Sequence, residues 1–300
     1  MAINFHYGGQ AVIEGVMIRG KKAMVTAVRR PNGEIVSKVK PLSSLYTGWV
    51  RRTPFLRGII VLLEALVLGI QSLIYSTNVA LEEEIKEEIN SGYIFLLILV
   101  SLSFSMLLFF FTPLFLTNWL GGSIESSVLF HVIEGIIRLI IFLIYLKAIS
   151  MMGDIKRVFA YHGAEHSTIN AFEAGVELTP QKVKESSIAH ARCGTSFLLT
   201  VFLIAIIIFS IFGKQELLLM VLSRIFLLPV IAAISYEITQ YSARHSGNVI
   251  VKIIMAPGLW LQTLTTRKPD ERQLEVAIVS LNKVLELDNE EAASEEALPA

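Results

Sequence analysis

The sequence holds a single cysteine, Cys193, in 300 residues, which excludes an intrachain disulfide framework and any zinc site of four thiolates. Charge is scarce too: 17% of the residues are charged, and 26 basic residues balance 26 acidic ones. Without net positive charge there is no electrostatic footprint for nucleic acid. No GxGxxG or GxxxxGK[ST] run occurs, which excludes the common phosphate loops. The stretch Met1 to Gly20 has no basic start, apolar core and small-residue cleavage site, so no secretory signal is expected and the amino terminus is expected in the cytoplasm. What is abundant is apolar character, at 53% of residues. That excludes disorder for most of the chain and points to a lipid bilayer as the principal partner.

Crossing roughly 30 Å of hydrocarbon takes about 20 apolar residues. Tyr93–Leu116, Val128–Ser150, Thr195–Phe212 and Leu217–Tyr236 meet that length, whereas Ile59–Ala80 is broken by Glu64 and turns polar in its second half. Basic residues separate four spans from five, because they stay inside. Ten lie before Gly58, five in Met151–Arg192 and six after Tyr236, with none in Thr117–Ser127. Four spans put all three basic segments on the cytoplasmic face and leave only Thr117–Ser127 and the Gly213–Glu216 turn outside. Ile59–Ala80 then lies along the inner membrane surface or packs against the bundle. The acidic run Glu82–Glu88 following it reads as a solvated helical face.

The expected fold is a mainly α-helical polytopic membrane protein with about four transmembrane helices and a small N-terminal β-containing cytoplasmic module. In that module, residues 1–56, Ala23–Arg30 and Glu34–Lys40 flank Asn32-Gly33 as a hairpin, and Gly8-Gly9, Gly15 and Gly20 suggest tight turns before it. A membrane-surface helix and acidic linker (57–92) lead to the spans (93–236), which enclose a cytoplasmic 151–192 segment. A C-terminal cytoplasmic helical segment (237–288) follows. Its amphipathic part, Glu271–Leu287, places Leu274, Ala277, Ile278, Leu281 and Leu285 on one face. The acidic stretch 289–300 reads as a disordered tail.

The candidate chemistry gathers on the cytoplasmic side. In His162-Gly163-Ala164-Glu165-His166 the two histidines stand four apart, on one face of a helix, and can share a metal ion. Glu165 is a candidate general base or ligand in this H-x-x-E-H pattern, and Glu173, seven residues after His166, is a candidate carboxylate ligand. The competing reading is two surface histidines on a juxtamembrane helix. His190 and Cys193 form a second potential chelate, although a lone cysteine is often an inert small hydrophobe. Arg192 is a membrane anchor or an anion contact. Glu237 and His245, eight apart, lie within about 80° of each other on a helix and emerge on the same face. Inside the bilayer His131, Glu134 and Arg138 make one polar stripe, either an ion pair or a path for protons or polar solutes, and Arg224 either joins that pair or snorkels to the interface. Trp260 reads as an interfacial anchor. The Thr265-Thr266-Arg267-Lys268-Pro269-Asp270 turn reads as a helix cap, with an anion contact through Arg267 as the alternative.

Gly8–Gly20, Tyr161–His166, His190–Phe197 and Leu264–Asp270 together resemble, in order, the signature blocks of the YqhQ-like family. This is a bacterial family of unknown function labelled a predicted metal-dependent enzyme. The resemblance spans about residues 8–287. Ala191 stands where proline is usual, Ser167 where lysine is common and Lys268 where glutamate is common, and none of these removes a candidate ligand. The family label implies a divalent metal, zinc by default with manganese or iron as alternatives, and a hydrolase-like reaction of metal-activated water on a membrane-associated substrate. Two rival classes make distinct demands. A scaffold or assembly factor would bind a protein partner through the Glu14–Arg19 surface, and a transporter would depend on the His131–Arg138 stripe.

Overall fold

The computed structural model describes residues 5, 7–82, 91–120, 124–212, 216–245 and 247–296. Most of Glu82–Glu88 and of Gly213–Glu216, and residues 297–300, lie outside the described residues. Four strands form one antiparallel sheet in sequential order: β1 (Gly8–Val12), β2 (Gly15–Arg19), β3 (Ala23–Arg29) and β4 (Ile35–Pro41). The β3–β4 hairpin is the one the Asn-Gly turn predicts. Of the glycines before it, Gly20 opens the β2–β3 turn, its N–H donating to the Ala23 carbonyl (2.8 Å), whereas Gly8, Gly9 and Gly15 lie within strands, and the first reversal falls at Ile13-Glu14, with Glu14 in the left-handed region at φ 52°. A Cβ on Gly9 would sit 2.0 Å from the Met17 carbonyl oxygen, so the strand tolerates no side chain there.

Helix α1 (Leu56–Ala80) lies on one face of this sheet. Helices α4 (Gly153–Glu173) and α8 (Glu271–Glu296) lie on the other. Period-two alternation sends Val16, Ile18, Val25 and Ala27 toward Tyr161, Leu274, Ala277 and Leu281, and sends Met17 and Met24 toward Leu68. With both faces covered, β2 is buried along nearly its whole length. The apolar stripe of α8 is the one its periodicity predicts. The helix runs on to Glu296, so the acidic stretch from Asn289 is helical that far rather than disordered. Its Glu and Ala residues are strong helix formers.

The bundle contains α2, a helix from Ser91 to Leu120 with a π-turn at Leu107–Phe111, then α3 (Ser127–Ile149), α5 (Gly194–Phe212) and α6 (Leu217–Arg244). A shorter helix, α7 (Val249–Thr265), packs on α5. Among the described residues five helices are long and apolar enough to cross a membrane: α1, α2, α3, α5 and α6. The contacts of α1 set it apart. At its start Arg57 pairs with Glu237 near the end of α6, and farther along Ser72 accepts from Thr26 of the sheet (3.1 Å). Both halves are thus tied to the sheet end of the bundle. Its polar residues Glu64, Ser72 and Ser76 are buried, while Leu62, Leu63 and Leu66 are exposed. That inversion of an ordinary amphipathic helix suits a rod whose outer side meets lipid.

Candidate functional site

Helix α4 carries both histidines of the pentapeptide. His162 and His166 face the same way, with ring centroids 4.3 Å apart. Gly163 lies between them, and a Cβ there would be 2.0 Å from the carbonyl oxygen of Arg267. The missing side chain lets the connection from α7 to α8 settle onto α4, bringing the Thr265 carbonyl 2.8 Å from His162 Nδ1. His166 Nδ1 lies 2.7 Å from the carbonyl of Ile188. A carbonyl only accepts, so both Nδ1 atoms carry a proton, and in the neutral ring each Nε2 then presents a lone pair. This is how metal-binding histidines are oriented by the groups behind them.

Cys193 completes the arrangement. Its Sγ is 3.4 Å from His162 Nε2, and donor atoms of His162, His166 and Cys193 all lie within 4.8 Å of one another. The backbone N–H of Thr195 also donates to this sulfur, at 3.4 Å, so Cys193 sits at the N-terminus of α5, where the helix dipole favours an anionic ligand. His166 and Cys193 are buried and His162 is partly open, which leaves one approach. Two nitrogens and one sulfur are a donor set that zinc accepts.

His190 is close but turned to another task. Its ring lies 5.5 Å from that of His166, yet its Nε2 accepts from Arg192 at 3.2 Å, and burial holds its pKa below the ordinary histidine value. Glu173, the candidate carboxylate ligand, is an ion-pair partner of Arg192. Glu165 is fully buried against the sheet, where its Oε1 accepts the backbone N–H of Gly9 at 2.9 Å. Burial pushes its pKa up, opposed by His162 and by that N–H. One residue before His166, it points away from the cluster formed by the two histidines and Cys193.

The remaining candidates stand elsewhere. Because α6 continues to Arg244, Glu237 is a helical residue that accepts from Phe55 N (3.0 Å) and Arg57 Nε (2.7 Å). His245 is exposed and stacks on Tyr241. Neither joins the His–Cys group. Glu14, at the β1–β2 reversal, pairs with Arg157 and accepts from Tyr161 (3.3 Å), fastening the hairpin to α4. The cap reading of the Thr-Thr-Arg turn holds: Asp270 Oδ1 accepts from Gln273 N (2.8 Å) and Gln273 Oε1 from Asp270 N (3.0 Å), a capping box. Arg267 donates to the carbonyl of Ser150 (2.9 Å), joining the end of α3 to this turn.

One buried residue of the site escaped sequence reasoning. Gln262 accepts from His190 N and donates to His190 O, both at 2.9 Å, and donates to Ser196 Oγ at the same distance. It fixes the 188–196 segment whose backbone and Cys193 build the cluster. The available signal was an amide inside an apolar helix, three residues before Thr265.

The intramembrane stripe forms a separate group. Glu134 accepts from Arg138 (2.6 Å) and from Arg224 (2.6 and 2.7 Å), with His131 Nδ1 at 3.3 Å. The π-turn of α2 turns the Phe109 carbonyl to Arg138 Nε (3.0 Å), and the rings of Phe110 and Phe209 flank the Arg224 guanidinium. Arg224 therefore joins the pair rather than snorkelling.

No solved structure matches this chain. It is 38% identical over 295 residues to the uncharacterized protein YqhQ of Bacillus subtilis (strain 168), an alignment covering 94% of this chain and 93% of that one. The model of a family described as protein of unknown function (DUF1385) matches residues 53–287, which take in α4, Cys193 and the turn that binds His162. The chain belongs to this YqhQ-like family.

Proposed function

We propose that the protein is a metal-dependent enzyme of the cytoplasmic membrane, with the sheet, α8 and the His–Cys cluster on the cytoplasmic side, as the distribution of basic residues supports. The observation that carries this reading is the pair of Nδ1–carbonyl bonds that leave His162 Nε2 and His166 Nε2 directed, with Cys193 Sγ, at one small region. These three residues would hold a divalent metal, with sulfur favouring zinc over manganese or iron. Three protein donors leave room for a further ligand, the pattern of catalytic rather than structural zinc. The ion would supply a water activated for attack on an ester, amide or phosphoester.

The chain's own residues do the rest. Glu165, whose Oε1 accepts from Gly9 N behind the cluster, holds α4 and its two histidines against the sheet. Arg192, steadied by Glu173, is placed to meet an anionic substrate group. Gln262 keeps the 188–196 segment in register.

The test is the metal content of detergent-purified protein, wild type beside a His162→Ala/His166→Ala double variant. Roughly one ion per chain, lost in the variant, is expected. No metal in the wild type after incubation with zinc, manganese and iron would overturn the reading and leave a membrane scaffold as the better account. Glu165→Gln separates the roles: metal retained with turnover lost assigns it to proton transfer, whereas loss of both makes it structural.

A further inference from the structure

A groove of about 320 Å³ begins beside the candidate metal site and runs into the membrane-spanning bundle. Its mouth is framed by Ala191 and Ser196, which bracket Arg192 and Cys193 in sequence. From there it follows one face of α5 through Leu199, Thr200, Leu203, Ile204 and Ile207. Those positions recur at three- and four-residue intervals over nine residues, about 12 Å along a helix axis. Helices α6 and α7 form the other walls. The lining is graded: Ser196, Thr200, Thr239 and Ser242 supply hydroxyls, and the Leu203–Ile207 end is apolar. Gly258 sets the depth of the mouth, since a Cβ there would be 2.8 Å from Ser196 Cβ and Oγ.

One residue along the chain from Ala191, a buried side-chain atom lacks a partner. Arg192 Nε is buried and makes no hydrogen bond among the described residues, although the same guanidinium reaches Glu173. A buried N–H donor without an acceptor is costly, and an anionic head group entering beside Ala191 would satisfy it.

We propose that the groove holds one hydrocarbon chain of an anionic membrane amphiphile, with its head group at Arg192 and the His–Cys cluster. This deepens the enzyme reading by naming the substrate class, an anionic lipid approached from within the bilayer. The apolar end is matched to a hydrocarbon tail, the hydroxyl-lined end to the polar junction of that tail, and the guanidinium to the head. Carboxylate and phosphate heads share this chemistry, and the probes below distinguish them.

The full chain in detergent is photolabelled with two diazirine-tailed probes, a fatty carboxylate and a phosphatidic acid, beside a neutral diazirine-tailed monoglyceride. Labelled peptides are mapped by mass spectrometry, and metal content is measured on the same preparations. Labelling by an anionic probe is expected to concentrate between Leu199 and Ile207 over the lipid-facing part of α2. Leu203→Trp, which fills the groove, should lower it about tenfold, the equivalent of two buried methylenes, with metal content unchanged. Ile207→Trp, at the open end, serves the same purpose if Leu203→Trp does not fold. Arg192→Gln should abolish the preference for anionic over neutral probe. Whichever head labels better identifies the source.

Equal labelling of α2 and the groove, or labelling indifferent to both tryptophan variants, overturns the proposal. So does the absence of an anionic preference in the wild type. The metal reading fails separately. Groove labelling that persists in a wild-type protein without metal sustains the lipid site alone, and metal retained without groove labelling sustains the metal site alone.

Discussion

The protein holds two polar clusters, and they dispose of charges and lone pairs in different ways. Around Glu134 the charges are matched from within: two guanidiniums and a histidine surround one carboxylate, a π-turn offers a carbonyl to Arg138, and two phenylalanine rings flank buried Arg224, although Arg224 Nε and Nη1 and His131 Nε2 make no hydrogen bond among the described residues. Around His162 the complement is withheld. The protein spends two backbone carbonyls to fix the Nδ1 atoms and leaves both Nε2 atoms and a sulfur clustered together. The first arrangement is what a low-dielectric bundle needs to tolerate charge at depth. The second leaves ligand capacity open at the junction with the sheet. Counting ionisable residues would have ranked the stripe first, whereas the direction of their hydrogen bonds ranks it second.

The largest expected effect comes from breaking the closed cluster. Glu134→Ala leaves two buried guanidiniums without their carboxylate and should destabilise the protein by about 3–5 kcal/mol, read as thermal unfolding in detergent. The loss should be the same with zinc or with a chelator present. A metal-dependent loss would erase the contrast between the clusters. At the open cluster the dependence reverses. His166→Ala should change the metal-free unfolding temperature little, yet forfeit the stabilisation that zinc gives the wild type, about 2.7 kcal/mol at a free concentration one hundred times the dissociation constant.

Gly163→Ala tests whether the carbonyls behind the histidines matter as claimed. The new methyl must displace the Arg267 carbonyl, at about 1–3 kcal/mol. Because the same connection carries the Thr265 carbonyl, zinc affinity should fall with stability. Asp270→Ala removes half of the capping box of α8, costing about 1 kcal/mol, and should leave zinc affinity untouched. Glu165 contributes a slope rather than a step. Its pKa is higher in the folded chain, so the folded form holds the proton more tightly. Its contribution is present below the unfolded carboxylate value and is lost as pH rises through the folded one. Glu165→Gln should flatten that part of the stability profile of the metal-free protein.

Much of this was legible in the sequence where periodicity or spacing carries the signal. The four long helices, the Asn-Gly hairpin, the stripe of α8 and the His-x-x-x-His face all follow from residues repeating at the intervals of regular structure. The β1–β2 hairpin was not legible, because its strands are short and contain the glycines that suggest turns, and because burial on both faces hides the alternation of β2. The partners of the site were hidden for a different reason. Thr265 and Ile188 act through carbonyls that every residue possesses, and Glu173 resembles a ligand until Arg192 is seen beside it. Sequence supplies the donors and tertiary structure decides which remain available.

The sheet draws on both ends of the chain. Tyr7 donates to Asp288 across 281 positions (3.0 Å), and Val16, Ile18 and Val25 are closed over by Leu274, Leu281 and Val284. During synthesis, therefore, the first strands leave the ribosome long before the helix that covers them. All the membrane-spanning segments are made in that interval. The strands must wait with an apolar face uncovered, in the state where unpaired sheets are most prone to associate wrongly. Completion of the sheet thus waits on α8, which is translated after every membrane-spanning helix. The turn that carries the Thr265 carbonyl to His162 is translated just before that closing helix, so the binding cluster takes its final form only after the spans are made.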